Sequence, residues 1–352
     1  MNAMKRPGEA PSISLEDMMV GAVGGDRLAL ARMLTMVERG GDNSAEVARV
    51  SYRSKQRGQT VGITGAPGAG KSTLVEKLIS VAREGGKSQV AVIAVDPTSP
   101  FSGGAILGDR IRMQSHAGDK GVFIRSMASR GHLGGLSIAV PEAMRLLEAV
   151  GMDPVIVETV GVGQVEIEVA SATDTTVVVL NPGWGDAIQA NKAGILEIAD
   201  ILVVNKADRP GAKEAVRDLQ QMLDMAFSLG IHPRATTKST DASHDVSQEM
   251  SQEMWRPPVL ETVASTGEGI PELWSAVKTH RVYLEESGEG ALRRRKRAER
   301  SIALVLEVEM AKQLDKIRSS QMYLSLVDAT ESGHSDPYEA AEKLMREADP
   351  DR

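Results

Sequence analysis

The string Gly65-Ala66-Pro67-Gly68-Ala69-Gly70-Lys71-Ser72, followed by Thr73, brings together the groups needed to hold a chain of phosphates. Glycines let successive backbone N–H groups curl around phosphate oxygens, a lysine neutralises charge at the β- and γ-positions, and the adjacent hydroxyl is a hard oxygen ligand for Mg2+. An ordinary glycine-rich turn is the competing reading. The flanks disfavour it, since Val61-Gly62-Ile63-Thr64 is strand-like and Leu74-Val75-Glu76-Lys77-Leu78 is helical. Gly65, Ala66, Pro67, Gly68, Ala69, Gly70, Lys71, Ser72 and Thr73 are the expected phosphate-binding residues, with Lys71 also acting on the transferred phosphoryl group.

A second string selects the base. Asn205-Lys206-Ala207-Asp208 follows the apolar run Ile201-Leu202-Val203-Val204, and so falls at the C-terminal end of a strand, where doubly wound sheets bind ligands. The carboxylate of Asp208 matches the N1 and N2 donors of guanine, whereas adenine offers no matching pair, and buried polar groups left unpaired make such discrimination strong. Ser265-Thr266-Gly267, after Val259-Leu260-Glu261-Thr262-Val263, fits a loop touching the guanine carbonyl or a simple turn into a helix.

Acidic residues close two further apolar runs. Asp96 ends Ala91-Val92-Ile93-Ala94-Val95, and Glu158 opens Glu158-Thr159-Val160-Gly161 after Val155-Ile156-Val157. Carboxylates at strand ends beside a phosphate loop suit Mg2+ or its water shell. Asp96 is alternatively a cap or an Asx turn before Pro97. Glu158 stands where most GTPases carry Asp, and its extra methylene favours contact with the ion through water. Asp109, in Gly108-Asp109-Arg110, is either a fourth residue on the Mg2+ side, with Ser72, Asp96 and Glu158, or a solvated loop carboxylate. Val162 follows Gly161, so the usual water-positioning Gln is missing; Gln164 is the candidate, and slow intrinsic hydrolysis is expected.

The elements that must position these residues follow from the apolar pattern. Short β-branched runs at 60–64, 89–95, 121–125, 154–159, 175–181, 200–205 and 258–263 alternate with helical patterns. Runs of continuous Val and Ile belong to strands covered on both faces. The expected fold is therefore α/β, a doubly wound and mostly parallel sheet spanning 58–287. Residues 1–57 read as a helical N-terminal extension, with Asp26 as a cap and Gly40-Gly41 as a stop. Residues 288–352 read as a helical C-terminal arm and tail whose apolar stripe at Ile302, Val305, Leu306, Val308 and Met310 needs a partner surface. The polar stretch 234–254, with its tandem Ser-Gln-Glu-Met, reads as a mobile surface insertion or a short helix.

Composition sets limits. Only 3% of the 352 residues are aromatic against 41% hydrophobic, so the core must be aliphatic. The chain has no Cys, which excludes disulfides, thiolate metal sites and thiol nucleophiles. Its six His are scattered and read as surface or structural residues. The net charge of −7 argues against nucleic-acid binding, and Arg293-Arg294-Arg295-Lys296-Arg297 reads as a solvated helix face. No apolar run reaches the length of a membrane span and the first residues lack a signal peptide's apolar stretch, so a cytoplasmic protein with no membrane partner is expected.

Taken together, Gly65–Ser72, Val95-Asp96-Pro97-Thr98-Ser99, Gly103–Arg110, Glu158-Thr159-Val160-Gly161-Val162-Gly163-Gln164 and Asn205–Asp208 resemble the MeaB/ArgK family of P-loop GTPases. The resemblance extends from about Leu15 to Leu314. It implies GTP and GDP with Mg2+ as cofactors, and a chaperone role toward an adenosylcobalamin-dependent acyl-CoA mutase, methylmalonyl-CoA mutase first. It further implies a homodimer built through the arm, and a loop at Asn181–Lys192 that couples nucleotide state to the mutase. A small-molecule kinase linked to arginine and ornithine transport is the alternative. The tandem Ser-Gln-Glu-Met and the segment from Ser335 to Arg352 depart from the family pattern.

Overall fold

A computed structural model of the chain describes residues 14–86, 88–97, 114–116, 118–129, 138–159, 164–183, 194, 196–229 and 254–348. It divides into two compact units, Met1–Arg295 and Lys296–Arg352.

The first unit is built on a sheet of seven strands among the described residues. These are β1 (Thr60–Gly65), β2 (Val90–Pro97), β3 (Val122–Ser129), β4 (Val155–Thr159), β5 (Thr175–Leu180), β6 (Ile201–Asn205) and β7 (Val259–Thr262). Their order is β3-β2-β4-β1-β5-β6-β7, and every neighbouring pair is parallel. Each expected run produces one strand. The largest displacement is in β3, which pairs with β2 as far as Ser129, past Arg125 and Ser126 that interrupt its apolar run.

Both sheet faces are covered, which explains the continuous Val/Ile reading. Along β2, Ala91, Ile93 and Val95 enter one core and Val90 and Val92 another. Along β5, Val177 and Val179 face the second core while Val178 and Leu180 face a third. The second core packs α4 (Lys71–Ala82) and α8 (Ile270–Glu286) on one face. The other face carries α5 (Ala139–Ala149), α6 (Gln164–Ala172) and α7 (Ala212–Ser228). As the composition requires, the largest fully buried side chains are Leu, Ile and Met.

The N-terminal helices are part of that packing. α1 (Leu15–Val23), α2 (Arg27–Arg39) and α3 (Gly41–Arg53) contribute Met18, Leu30, Met33, Leu34, Val37 and Val47 to the core that contains Leu146 and Leu147 of α5. Asp26 caps α2, its carboxylate accepting from Leu28 N and Ala29 N, and Gly40 ends it. Arg145 of α5 donates to the carbonyls of Ser54 and Gln56 at 2.6 and 3.0 Å, which fixes the chain leaving α3.

At this helical layer Ser44 Oγ donates to Glu142 Oε2 at 2.5 Å. Burial pushes the Glu142 carboxyl above its ordinary range, and the Ser44 hydrogen bond offsets this only in part. A carboxyl whose pKa is raised by folding contributes stability below its unfolded pKa, and that contribution is lost as pH rises through the folded value. Glu142→Gln, which keeps an acceptor for Ser44, should therefore raise Tm by a few degrees near neutral pH and by less near pH 4, where the wild-type carboxyl holds its proton. Thermal melts across that range check this; an equal gain at both ends would remove the ionisation argument.

The second unit contains the continuation of α9 (Glu289–Arg318), then α10 (Gln321–Glu331) and α11 (Pro337–Ala348). Ile302, Val305, Leu306, Val308 and Met310 are exposed along α9, as the sequence spacing suggests. The basic run needs a correction. Arg294, Arg295 and Lys296 are solvent-facing, but Arg293 is buried in the first unit. Its guanidinium grips Asp200 with NH1 to Oδ2 at 3.1 Å and NH2 to Oδ1 at 3.0 Å, and its Nε donates to Glu289 at 2.8 Å. Burial alone would lower its pKa, yet the two carboxylates hold it above the usual arginine range. The tandem Ser-Gln-Glu-Met lies outside the described residues apart from Met254.

Candidate functional site

The loop 65–71 joins the central strand β1 to α4, at the point where the connections switch from one side of β1 to the other. Gly65 adopts φ +130° and runs so close to β5 that a Cβ there would lie 2.0 Å from Val179 O. At Gly70, φ is +92° and a Cβ would meet Asn205 Nδ2 at 2.4 Å. Both positions therefore exclude a side chain on conformational and steric grounds.

Lysine is rarely buried without partners, and Lys71 is 7% exposed. Its ammonium donates to the carbonyls of Gly65 at 2.6 Å and Ala66 at 3.0 Å, inside the curve of the loop. Ser72, in the first turn of α4, donates to Glu158 Oε1 at 2.6 Å across from the end of β4, and Thr73 is exposed beside it. Free N–H groups and the positive end of the helix dipole add to the attraction for anions here. Behind Glu158, Thr159 Oγ1 donates to Thr64 Oγ1 at 3.3 Å, locking β4 to β1.

Asn205 and Lys206 tie the end of β6 to the loop. Asn205 Nδ2 donates to Ala69 O at 2.7 Å and Lys206 Nζ to Gly68 O at 2.6 Å, with Lys206 at φ +60°. On its other side Asn205 Oδ1 accepts from Thr262 Oγ1 at 3.1 Å and Ala264 N at 3.0 Å, and Ala207 N donates to Thr262 O at 3.0 Å. These bonds dock the turn Ser265-Thr266-Gly267 against the base motif. The turn also leads into α8, with Gly267 N donating to Val263 O. Asp208 is exposed in the turn that follows.

The structure thus brings Gly65–Thr73, Glu158, Asn205, Lys206, Asp208 and Ser265–Gly267 to one end of the sheet. Asp96 lies at that end of β2, one residue beyond the register pair Val95–Thr159, and Gln164 begins α6; their side chains are outside the described set, as is Asp109 altogether. Thr262 was not singled out from sequence. Its only signal is its position as the last residue of the β7 run beside a base motif. The described residues contain no cluster of three or more His, Cys, Asp or Glu able to hold a metal.

A phosphate loop after the central strand of an all-parallel sheet, with a base motif at the end of β6 braced against it, defines a P-loop GTPase. Comparison with known proteins narrows the class. The model of the family described as "Methylmalonyl Co-A mutase-associated GTPase MeaB" matches residues 30–319, and the chain belongs to that family. A chain of Pyrococcus abyssi that carries the name of a GTPase is 45% identical over 323 residues, 92% of this chain and 93% of that one. GTPase ArgK of Escherichia coli is 39% identical over 269 residues, 75% of each chain. A mouse protein named methylmalonic aciduria type A homolog, mitochondrial, is 35% identical over 294 residues, 80% of this chain and 66% of that protein. Among solved structures, one described as an LAO/AO transport system kinase superposes with a TM-score of 0.60 at 26% identity, covering 96% of this chain and 99% of that one. The protein is a GTPase that binds guanine nucleotide. No helix among the described residues is long and apolar enough to cross a membrane.

Proposed function

We propose that this GTPase is a chaperone of an adenosylcobalamin-dependent acyl-CoA mutase, methylmalonyl-CoA mutase first, and that its nucleotide state gates adenosylcobalamin loading and the release of damaged cofactor. The observation that carries this is the family match, whose span from residue 30 to 319 includes every motif and Asn181–Lys192. The name of the mouse relative points the same way.

In this reading Gly65–Thr73 and Lys71 hold the phosphates, Asn205, Lys206 and Asp208 with Ser265–Gly267 hold guanine, and Gln164 orients the attacking water. Ser72 and Glu158 fit Mg2+, being a hydroxyl at the start of α4 and a carboxylate at the end of β4, 2.6 Å apart; Mg2+ takes one or two such ligands and completes its shell with water and phosphate. Asp96 and Asp109 complete the acidic side. Bound there, the ion supplies neutralisation of charge developing on the phosphates. The exposed stripe Ile302, Val305, Leu306 and Met310 supports a homodimer through α9, since a two-fold interface buries it on both copies.

The string after Gly161 has no Gln at the usual place, so a partner that completes the site should accelerate hydrolysis. Purified mutase should raise GTP turnover at least about tenfold. Cofactor transfer into apo-mutase should differ between GTP, a non-hydrolysable analogue and GDP. Identical transfer in all three states with no stimulation would leave the GTPase and remove the chaperone. Labelled γ-phosphate arriving on arginine or ornithine rather than water would favour the kinase alternative.

A further inference from the structure

Two asparagines stand side by side at the ends of β5 and β6. Leu180 pairs with Val204 in parallel register, so Asn181 and Asn205 are the next lateral neighbours. Alternation assigns their face: Val177, Val179, Ile201 and Val203 all enter the core beneath α4, and Asn181 and Asn205 continue those positions two residues on. Asn205 reaches Ala69 O, and β5 lies between β6 and the β1 strand from which that loop springs. The Asn205 amide therefore crosses the end of β5, where Asn181 sits.

Asn205 satisfies both ends of its amide. Asn181 Oδ1 is buried and has no hydrogen-bond partner. A buried carbonyl without a donor is costly and rare in native proteins, so its retention beside the phosphate loop calls for a donor that arrives with function. The adjoining base motif holds one. Lys206 donates to Gly68 O at 2.6 Å, and an ammonium carries three protons.

We propose that Asn181 is a positioning residue for the guanine nucleotide, its Oδ1 accepting a second proton of the Lys206 ammonium when nucleotide is held. Lys206 is then fixed between Gly68 and Asn181, over the loop. This rests on the reading of Asn205–Asp208 as the base motif. It also gives the strand that leads into Asn181–Lys192 a direct interest in nucleotide occupancy.

The test is the affinity of fluorescent N-methylanthraniloyl-GDP for wild type, Asn181→Ala, Lys206→Met and the double variant, with melts of each nucleotide-free protein. Asn181→Ala should weaken GDP about tenfold, the scale of one hydrogen bond to a charged group. The nucleotide-free Tm should stay level or rise, because an unpaired buried acceptor has been removed. In the Lys206→Met background the same change should have no further effect on affinity. Unchanged GDP affinity in Asn181→Ala, or an equal further loss in the Lys206→Met background, overturns the proposal. A wild type that binds the ADP analogue as tightly as GDP overturns the base-motif reading beneath it, a separate failure.

Discussion

Lys71→Ala should reduce GTP turnover at least about a hundredfold with the fold retained, because a preorganised donor at developing charge is worth about 10²–10³ in rate. Lys71 is held by the carbonyls of Gly65 and Ala66, which fix its ammonium within the phosphate loop itself. No other described cation occupies the curve of this loop: Lys206 reaches Gly68 from outside, on the side of the base motif. Single-turnover hydrolysis at saturating GTP, with binding measured separately, isolates the effect on the chemical step. Near-normal turnover in a variant that melts like wild type would refute the assignment of Lys71 to the phosphates.

The legibility of this site in the sequence has a local cause. The phosphate loop is a contiguous string whose glycines answer to geometry visible at Gly65 and Gly70, and Asn205–Asp208 sits where an apolar run stops. Strands such as β1, β4, β5 and β6 were readable because each is buried along its whole length. β3 was read short because Arg125 and Ser126 break the apolar run, although Arg125 is placed by Glu38 and Thr35 of α2. The amphipathic pattern of α1 to α3 shows that one side is covered but not by what; their union with α5 in one core depends on contacts far along the chain. Asn181 carried a resemblance but no chemistry until the β5–β6 register placed it beside Asn205.

Arg293 is the plainest case of information absent from local sequence. Five consecutive basic residues look like a solvated helix face, and the reason one of them is not lies in Asp200, 93 residues earlier. Asp200 is 1% exposed; besides Arg293 it accepts from Thr176 N at 2.7 Å, and its carbonyl accepts from Trp255 Nε1 at 2.8 Å. Removing one partner of a buried pair leaves the other charge in a poor medium, a loss of about 3–5 kcal/mol. Arg293→Met should therefore lower Tm by about ten degrees, while Asp200→Asn combined with Arg293→Met should recover part of that, because a buried pair replaced by neutral groups is often nearly neutral in stability. A single variant melting like wild type would restore the solvated reading. The same pair decides how the proposed dimer must be tested. Truncation after Ser287 deletes Arg293 and would report a lost ion pair as a lost interface. Truncation after Arg295 keeps the pair and removes the exposed stripe of Ile302, Val305, Leu306 and Met310. That shorter chain should sediment as a monomer, melt within a few degrees of the full chain and retain its GDP affinity. A full-length chain that already sediments as a monomer would leave the stripe needing a different partner and end the proposal of a dimer.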